Sequence, residues 1–523
     1  MPSSPENLPR DADLLIAMVV AQAAEIEALR AVLKTMKAMI FGARSEKMAV
    51  ILDAQLPLNL GDLFTDVLIA AANDDDTSSP VVTLHRRKKA KRNVGHLPKH
   101  LPRVEEVIEP AMTTCPCCAG VLHKIGEDVA EALDAVPAVL RVLRTIRPKY
   151  ACRACTDAIV QAPAKARLID GGMATTALIA NVAVWKFAWH LPLSRQVQML
   201  IGQGIVLDRS TLSKWIKRVA WWLSGLYQRQ IEIMHTYPRL FCDETRMPVR
   251  RAGLKRTHTG QFWTHAIDDR PWCGPAPPAV VYIYAEGRGR HEIEQQLARY
   301  QGLLQVDGYA AYAGLTKPGR NAGPIQLAFC MAHARRKFAD VYKTTKSPFA
   351  QEVMERLAIV YAIEGKIRGT SAVHREEIRQ AKTAPLMVDL KARLETALSQ
   401  ISAKSTLAQA IRYSLSRWTG LTLFLENGIL EVDSNTVERL MRPIALGRRN
   451  ALFAGDDGGA ESWAILASLL QTARLNGLDP FTWLNDVLER IVSGQVKSHQ
   501  LDQLLAWNWK AGRGAADVQQ VAA

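Results

Sequence analysis

Three acidic residues, at positions 243, 307 and 438, are candidates for chemistry because each lies among apolar residues. Asp243 lies within a predicted strand, Leu240–Val249; Asp307 ends another predicted strand, and Glu438 lies on a predicted helix. A carboxylate in a half-buried strand is costly unless a cation offsets its charge. If folding brings the three acids together, they would hold divalent metal ions.

Carboxylates on adjacent strands and on a helix supply the oxygen ligands that Mg²⁺ prefers. Two ions about 4 Å apart, Mg²⁺ or also Mn²⁺, can activate an attacking oxygen and stabilise a leaving one in phosphoryl transfer. Simpler roles exist: Asp243 could cap a turn, Asp307 begins a common Asp-Gly turn, and Glu438 could pair with Arg442 on one helix. If Glu438 is not the third acid, the nearby candidates are Glu426, Glu431 and Asp433.

Basic residues cluster near these acids in the sequence, as a polyanionic substrate would require. After the fifth predicted strand, Cys330 is followed by His333 and then by Arg335 and Arg336. His333 could position a scissile phosphate or an adjacent helix, and a purely structural role is an equal alternative. The arginines that surround Glu438 either contact phosphate or form a solvated face; they are Arg439, Arg442, Arg448 and Arg449.

Four of the eight cysteines form two CxxC pairs, which is typical of a tetrahedral zinc site. The pairs are Cys115 with Cys118 and Cys152 with Cys155. The interval between the pairs is longer than usual, but the cost of closing a loop grows slowly with its length. We expect structural Zn²⁺ that stabilises this region and does no chemistry; four unrelated buried thiols are the alternative.

The elements that must position the acids form a predicted mixed sheet. Short loops favour an antiparallel arrangement of its first three strands, and a helix at His291–Tyr300 favours a parallel crossover to the fourth. This order predicts the front of a ribonuclease-H-like fold, which a helical insertion at Thr344–Thr419 interrupts. The predicted strands are Leu240–Val249, Gln261–Ile267, Ala279–Tyr284, Leu303–Val306 and Ile325–Phe329.

The first half of the chain carries features suited to assembly and binding. A heptad pattern from Leu15 to Ile40 indicates a coiled coil that would make a homodimer or higher oligomer, or else an amphipathic helix packed on its own protein. A basic run, His85–Arg92, could touch phosphate. Leu207–Val219 is predicted to be the recognition helix of a helix-turn-helix, with an ordinary helical bundle as the alternative. The side chains predicted to face DNA are Arg209, Ser213, Lys214, Lys217 and Arg218.

The bulk composition favours a nucleic-acid partner. The chain has 523 residues and a formal net charge of +15, from 66 Lys+Arg against 51 Asp+Glu, and such a basic balance suits a polyanion. The N-terminus lacks the cationic and apolar regions of a signal peptide, and no window is apolar enough to span a bilayer. We therefore expect a cytoplasmic protein with no membrane partner. The tail after Trp509 is predicted to be disordered.

Taken together, these motifs resemble one family. FGARSEK, the paired cysteines, STLSKWIKR, FCDET, LQVDGYAAY, CMAHARRKF and NTVERLMRPIALGRRNALFAG occur in this order. The conjunction resembles the DDE transposases of the IS66 (TnpC) insertion-sequence family. The resemblance implies a ribonuclease-H-like core, magnesium-dependent DNA cleavage and strand transfer, and Asp243, Asp307 and Glu438 as the catalytic acids.

The resemblance also implies the partners of the protein. They are the terminal inverted repeats of the element, target DNA, and small accessory proteins encoded by the same element. The protein would be bacterial and nucleoid-associated when bound to DNA. The alternatives are a zinc-containing DNA-binding regulator, a catalytically decayed transposase, or a nuclease that shares the site and never joins ends.

The predicted architecture is therefore a multidomain α+β chain with a ribonuclease-H-like catalytic core and a helical insertion. An N-terminal coiled coil, a zinc-binding module and a helix-turn-helix precede the core. The predicted boundaries are a coiled-coil helix at 11–41, a linker at 42–103, a zinc-binding module at 104–165, a helix-turn-helix region at 170–230, core parts at 238–343 and 420–455, the insertion at 344–419, and a C-terminal helical region and tail at 456–523.

Overall fold

The computed structural model describes residue 140 and residues 142–147, 149–151, 159–161, 163–251, 256–320 and 322–521. The predicted coiled coil and linker lie outside these residues. The four cysteines of the predicted zinc site also lie outside them: Cys115, Cys118, Cys152 and Cys155. The described part is an α+β structure in which one mixed five-stranded sheet packs against helices.

The five-stranded sheet confirms the five predicted strands. In the order β5-β4-β3-β6-β7, β3, β4 and β5 are antiparallel neighbours, and β6 and β7 run parallel to β3. A small antiparallel pair, β1 and β2, precedes this sheet. The strands are β1 (Lys149–Ala151), β2 (Ile159–Gln161), β3 (Arg239–Arg250), β4 (Thr257–Ile267), β5 (Ala279–Ala285), β6 (Gly302–Val306) and β7 (Ile325–Phe329).

Helices precede, interrupt and follow the sheet. The helix before β6 is shorter than predicted and ends at Gln296. The helices are α1 (Thr176–Phe187), α2 (Leu193–Gly202), α3 (Arg209–Met234), α4 (Arg290–Gln296), α5 (Met331–Thr345), α6 (Pro348–Ile367), α7 (Ala372–Ile378), α8 (Ala384–Gln400), α9 (Thr406–Leu415), α10 (Trp418–Thr422), α11 (Asn435–Ala451), α12 (Asp457–Leu475), α13 (Pro480–Val492) and α14 (Ala506–Val521).

The long helix α3 joins the first helices to the sheet. Its N-terminal half buries the four side chains that the sequence places inward: Leu212, Trp215, Ile216 and Val219. Its C-terminal half packs on β5, where Tyr227 donates a hydrogen bond to the carbonyl of Tyr282 (2.7 Å) and Gln230 donates one to the carbonyl of Val280 (2.9 Å). The predicted recognition helix is therefore the first part of a 26-residue element anchored to the sheet.

Helix α12 covers the free edge of the sheet at β5. The backbone N–H of Tyr282 donates to Ser468 Oγ (2.8 Å), and that of Val280 donates to Thr472 Oγ1 (3.1 Å). Ser468 and Thr472 are four residues apart on one helix face, and they satisfy alternate edge donors that would otherwise be unpaired. An edge covered in this way is protected from pairing with another strand.

The region between β7 and α11 is helical, as predicted for Thr344–Thr419. Leu357 and Leu390 pack in one buried cluster with Phe338 of α5 and Ala328 of β7. These contacts attach the helices to the sheet on the side of β7. The close packing is possible because the helices are amphipathic and bury their apolar sides in this shared core.

The C-terminal region corrects the prediction of a disordered tail after Trp509. Helix α14 runs from Ala506 to Val521, and Trp509 is buried and donates a hydrogen bond to Asp486 (2.6 Å). The aromatic residues near the start of α14 give it apolar contacts that composition alone did not reveal. No helix in the described ranges is long and apolar enough to cross a membrane.

Candidate active site

The register of the sheet brings Asp243 and Asp307 together. Strands β3 and β6 pair Arg239 with Leu303 and Phe241 with Gln305, an offset of 64 residues (303 − 239). The two acids have the same offset (307 − 243 = 64), so Asp307, directly after β6, follows the register of Asp243. Neighbouring strands lie about 4.8 Å apart. The register therefore places Asp307, just after β6, next to Asp243 on the central strand β3.

The backbone around Asp307 is held from two sides. Its carboxylate accepts a hydrogen bond from the N–H of Tyr309 (2.8 Å), and its carbonyl accepts one from the hydroxyl of Tyr413 on α9 (3.0 Å). The following residue, Gly308, has φ +96°, and a Cβ there would meet Arg417 Nε at 2.9 Å. Asp307 thus begins an Asp-Gly turn and also belongs to the candidate site, because the turn directs the chain away from the sheet just after Asp307.

Helix α11 delivers Glu438 from the first turn of its N-terminus. At that end, the N–H of Ser434 donates to Cys330 Sγ (3.2 Å), so α11 begins beside the start of α5. At the other end, Ala454 pairs with Val249 of β3 in an isolated bridge. The helix is therefore fixed at both ends relative to the strand that carries Asp243.

The carboxyl group of Glu438 is buried and has no hydrogen-bond partner at either oxygen among the described residues. Its side chain is only 6% exposed, and the nearest basic atom is His333 Nδ1, 3.7 Å from Oε1. Glu438 does not pair with Arg442, the alternative role considered above: Arg442 is exposed, and neither oxygen of Glu438 has a partner among the described residues. A buried carboxylate without partners is the condition that a bound cation relieves.

The pKa values of the acids reflect a concentration of negative charge. Burial, followed by the charges of Asp307, Glu244 and Glu438, raises the pKa of Asp243 well above its ordinary value. Burial also raises the pKa of Glu438 to about 7, and the nearby charge of Asp307 acts in the same direction, while Arg336 opposes it. The charges of Asp307 and Glu438 thus disfavour ionisation of Asp243, and the charge of Asp307 disfavours ionisation of Glu438, so the site attracts cations.

Sequence reasoning missed Glu244, which lies beside Asp243 on β3. Its side chain is 1% exposed. The carboxylate forms an ion pair with Arg288 (2.7 Å) and accepts a hydrogen bond from the hydroxyl of Tyr312 (2.9 Å). Burial and the charge of Asp307 raise its pKa, and Arg288 opposes this. The two consecutive acids of FCDET were a signal for Glu244, but its partner Arg288 lies in a distant loop that no local pattern connects to it.

The other candidates for the third acid already have protein partners or are exposed. Glu431 pairs with Arg375 (2.7 Å) and Arg368 (3.0 Å), which hold its pKa below the ordinary value although burial alone would raise it. Asp433 accepts hydrogen bonds from the backbone and side-chain nitrogens of Asn435 (3.0 and 2.8 Å). Glu426 is exposed. Glu438 therefore has the carboxylate best suited to a metal.

His333 lies in the first turn of α5, directly beside Glu438. Burial lowers the pKa of His333 to about 4, against the opposing charge of Asp307, so the imidazole is neutral at physiological pH. The Nδ1 atom is buried and has no hydrogen-bond partner within the described part of the chain. Burial also raises the pKa of the Cys330 thiol to about 12. The ligand atoms of Cys330, His333 and Glu438 all lie within 4.8 Å of one another.

The predicted basic residues of α5 and α11 line this region to different degrees. Arg336 and Arg439 lie close enough to Glu438 to lower its pKa. Arg448 donates to Thr245 Oγ1 (3.2 Å) and also to the carbonyl of Arg246. The remaining members of the set are Arg335, which is half-buried, and Arg442 and Arg449, which are exposed.

The predicted DNA-facing residues of α3 are not equally free. Arg209 and Lys214 are exposed and Ser213 is half-buried. Lys217 forms an ion pair with Asp456 (2.7 Å), between α11 and α12. The guanidinium of Arg218 stacks on a tryptophan, Trp221, with 4.4 Å to the ring centroid. Two of the five residues thus have partners within the protein that DNA binding would have to share or displace.

Family models match most of the chain. A model described as "Transposase IS66 family" matches residues 171–462, which contain all three acids. A model described as "zinc-finger binding domain of transposase IS66" matches residues 112–156, which contain the four paired cysteines. The "IS66 C-terminal element" matches residues 468–507, and "Transposase C of IS166 homeodomain" matches residues 28–105.

Curated relatives match the chain over nearly its full length. The protein printed as "Uncharacterized protein y4jD" from Sinorhizobium fredii (strain NBRC 101917 / NGR234) is 54% identical over 97% of this chain and 98% of its own. "Uncharacterized protein y4qI" from the same organism is 38% identical over 96% of this chain and 98% of its own. "Uncharacterized protein y4hP", also from that organism, is 37% identical over 95% of this chain and 90% of its own.

Proposed function

Because the chain belongs to the IS66 transposase family, we propose that it is a DDE transposase that cuts DNA and joins the ends through Asp243, Asp307 and Glu438. The observation that carries the proposal is the buried carboxyl group of Glu438. Both of its oxygens lack hydrogen-bond partners among the described residues, and its charge acts on Asp243. A bound cation would offset the charge of this buried, unpaired carboxylate and of the two nearby aspartates.

We further propose that the sheet and its helices form a ribonuclease-H-like core. The order β5-β4-β3-β6-β7, with three antiparallel strands followed by two parallel ones, supports this assignment. The positions of the acids support it too: one lies on the central strand, one follows its parallel neighbour, and one lies on the helix after the insertion. The predicted domain boundaries are part of the same proposal.

The residues present fit a pair of Mg²⁺ ions, and Mn²⁺ would also be accepted. Asp243, Asp307 and Glu438 would hold the ions, since all three offer carboxylate oxygens. When bound, the ions supply activation of the attacking oxygen and stabilisation of the leaving oxygen in phosphoryl transfer. The fit rests on the unpaired oxygens of Glu438 and on the mutual repulsion of the acids.

The basic residues of α5 and α11 would hold the DNA backbone at the acids. Arg336 and Arg439 lie near Glu438, and their charges suit the phosphates that flank a cleaved bond. We assign phosphate contacts to the other members of the set as well: Arg335, Arg442, Arg448 and Arg449. The exposed face of α3, with Arg209, Ser213, Lys214, Lys217 and Arg218, would bind the terminal inverted repeats.

The N-terminal regions would organise the complex. We propose that Cys115, Cys118, Cys152 and Cys155 hold structural Zn²⁺, in agreement with the zinc-finger model that matches residues 112–156. The heptad pattern at 11–41 would join chains into a homodimer or higher oligomer. Target DNA and small accessory proteins of the same element complete the proposed partners. The protein would act in the bacterial cytoplasm, at the nucleoid when bound to DNA.

The test compares DNA binding with DNA cleavage in one variant. Asp243→Asn keeps the size of the side chain and removes its charge, so the purified variant should bind labelled element ends but lose magnesium-dependent cleavage. Removal of a metal ligand from a site of this kind should lower the rate of cleavage at least a hundredfold. The matched control is Asp340→Asn, an exposed acid on α5, which should cleave like the unaltered protein.

Three outcomes would each favour an alternative to the proposed enzyme. Cleavage by Asp243→Asn at the ordinary rate would refute the assignment of the acids. Binding without any metal-dependent nicking in the unaltered protein would favour a DNA-binding regulator or a decayed transposase. Nicking without joined products would favour a nuclease.

A further inference from the structure

The proposed function leaves His333 without a defined task. Its imidazole Nδ1 is buried, faces Glu438 at 3.7 Å, and has no hydrogen-bond partner among the described residues. The facing oxygen of Glu438 is also unpaired. A separation of 3.7 Å is too long for a hydrogen bond between the two groups. Two good ligands therefore face each other without bonding.

This spacing suits two ligands of one ion. Adjacent ligands of an octahedral ion at ordinary bond lengths lie about 3 Å apart. A small closing movement of either side chain would bring Nδ1 and Oε1 to that separation. The third atom of the cluster, Cys330 Sγ, already accepts the hydrogen bond from Ser434 that fixes the start of α11 (3.2 Å). Cys330 is thus a positioning residue rather than a ligand.

We propose that His333 is a ligand of the divalent ion that Glu438 binds, and that it does not contact DNA directly. The inference rests on the proposed function, since it concerns the same metal site. It explains why the imidazole is only 17% exposed and turns its Nδ1 toward Glu438, whereas Lys337 on the same helix is exposed. It also explains why both facing atoms lack partners.

A histidine ligand has a consequence for ion preference. Imidazole nitrogen binds transition metals better than it binds Mg²⁺, and carboxylates bind both. A site with three carboxylates and one imidazole should therefore favour Mn²⁺ over Mg²⁺ more strongly than three carboxylates alone. Loss of His333 should reduce this preference as well as the affinity.

The direct test is electron spin echo spectroscopy of Mn²⁺ bound to the full-length protein. Modulation from a coordinated nitrogen should be present, and it should change when all histidines are labelled with ¹⁵N. This measurement uses the unaltered protein, so it does not depend on how a variant folds. In His333→Gln the histidine modulation should disappear, and the affinity for Mn²⁺ should fall about tenfold or more.

The matched control is His374→Gln, which alters an exposed histidine on α7 and should leave both readings unchanged. An unchanged Mn²⁺ spectrum and Mn²⁺ affinity in His333→Gln would overturn the inference. The inference would also be overturned if the only effect of His333→Gln were weaker DNA binding without metal, because His333 would then contact phosphate. These failures differ from failure of the proposed function. In that case, Asp243→Asn would also leave Mn²⁺ binding unchanged.

Discussion

Glu438 lies at the first turn of α11 with a buried carboxyl group and no protein partner in the described ranges. In the absence of metal, ionisation of this group is unfavourable, because burial raises its pKa to about 7 from an ordinary value of 4.5. The folded protein therefore binds the proton more tightly than the unfolded chain. Stability should fall as pH rises from about 4.5 to 7 and remain lower above that range.

The first residue-scale prediction follows from this shift. Without divalent ions at pH 8, Glu438→Gln should be more stable than the unaltered protein, by at most about 3 kcal/mol. At pH 4.5 the difference should shrink, since the folded protein then holds the proton and about half of the unfolded chains hold it too. The measurement is the thermal midpoint at the two pH values, with exposed Glu395→Gln as the control. Equal midpoints at pH 8 would contradict the buried, unpaired carboxylate.

At the residue scale, the acids of the candidate site could be proposed from the sequence alone. Asp243 could be identified as an acid within an apolar strand, and Asp307 as an acid at the end of one. The observed register brings the two positions together. Glu244 and its partner Arg288 were not found, because the contact joins a strand to a loop 44 residues later. The proximity of His333 to Glu438 could not be predicted either, because it depends on the N-termini of α5 and α11 lying close together.

At the scale of elements, the helical region between β7 and α11 is tied to the site by a buried ion pair. Arg375 of α7 is 1% exposed and bonds both the carboxylate of Glu431 (2.7 Å) and the carbonyl of Leu430 (3.1 Å). The side-chain amide of Gln305 on β6 donates a hydrogen bond to the carbonyl of Glu431 (2.8 Å) and accepts one from the backbone N–H of Glu431 (3.0 Å). The segment that leads into α11 is thus held between the insertion and the sheet.

The element-scale prediction concerns Arg375→Met. This change leaves Glu431 buried with only the half-exposed Arg368 as partner, which should cost about 3–5 kcal/mol locally. Hydrogen exchange should become faster both in α7 and in residues 428–438. The control is Arg393→Met, which breaks an exposed ion pair with Glu352 worth at most about 1 kcal/mol. Unchanged exchange at residues 428–438 would show that the insertion does not support α11.

The strands and helices were predictable to different degrees. All five strands were found because apolar runs bounded by turn residues are a strong local signal. The extension of α3 onto β5 and the cover that α12 provides were not found, since both depend on distant partners such as Ser468 and Tyr282. Helix α14 was missed because its apolar contacts come from only a few aromatic residues.

At the scale of the whole molecule, the chain is basic and is matched by four models of the IS66 transposase family. The net charge of +15 suits the DNA binding that membership of a transposase family implies. The four family models match consecutive parts of the chain, at residues 28–105, 112–156, 171–462 and 468–507. The coiled coil predicted from the heptad spacing lies outside the described residues and stays a prediction.

The whole-molecule prediction concerns zinc. Protein purified without chelators should contain about one zinc ion per chain, and Cys152→Ser should lose it, because a closed four-cysteine site needs all its ligands. Elemental analysis provides the measurement. Cys273→Ser, which alters an exposed cysteine of the core, should retain the metal. Zinc-free protein, or full zinc content in Cys152→Ser, would rule out the proposed site.

Anomalous X-ray scattering from Mn²⁺ in crystals of the full-length protein tests the shared acid site most directly. We predict peaks in contact with the carboxylates of Asp243, Asp307 and Glu438, at Mn²⁺ concentrations that support cleavage. An absence of peaks between these three side chains, or peaks held only by other residues, would contradict the account.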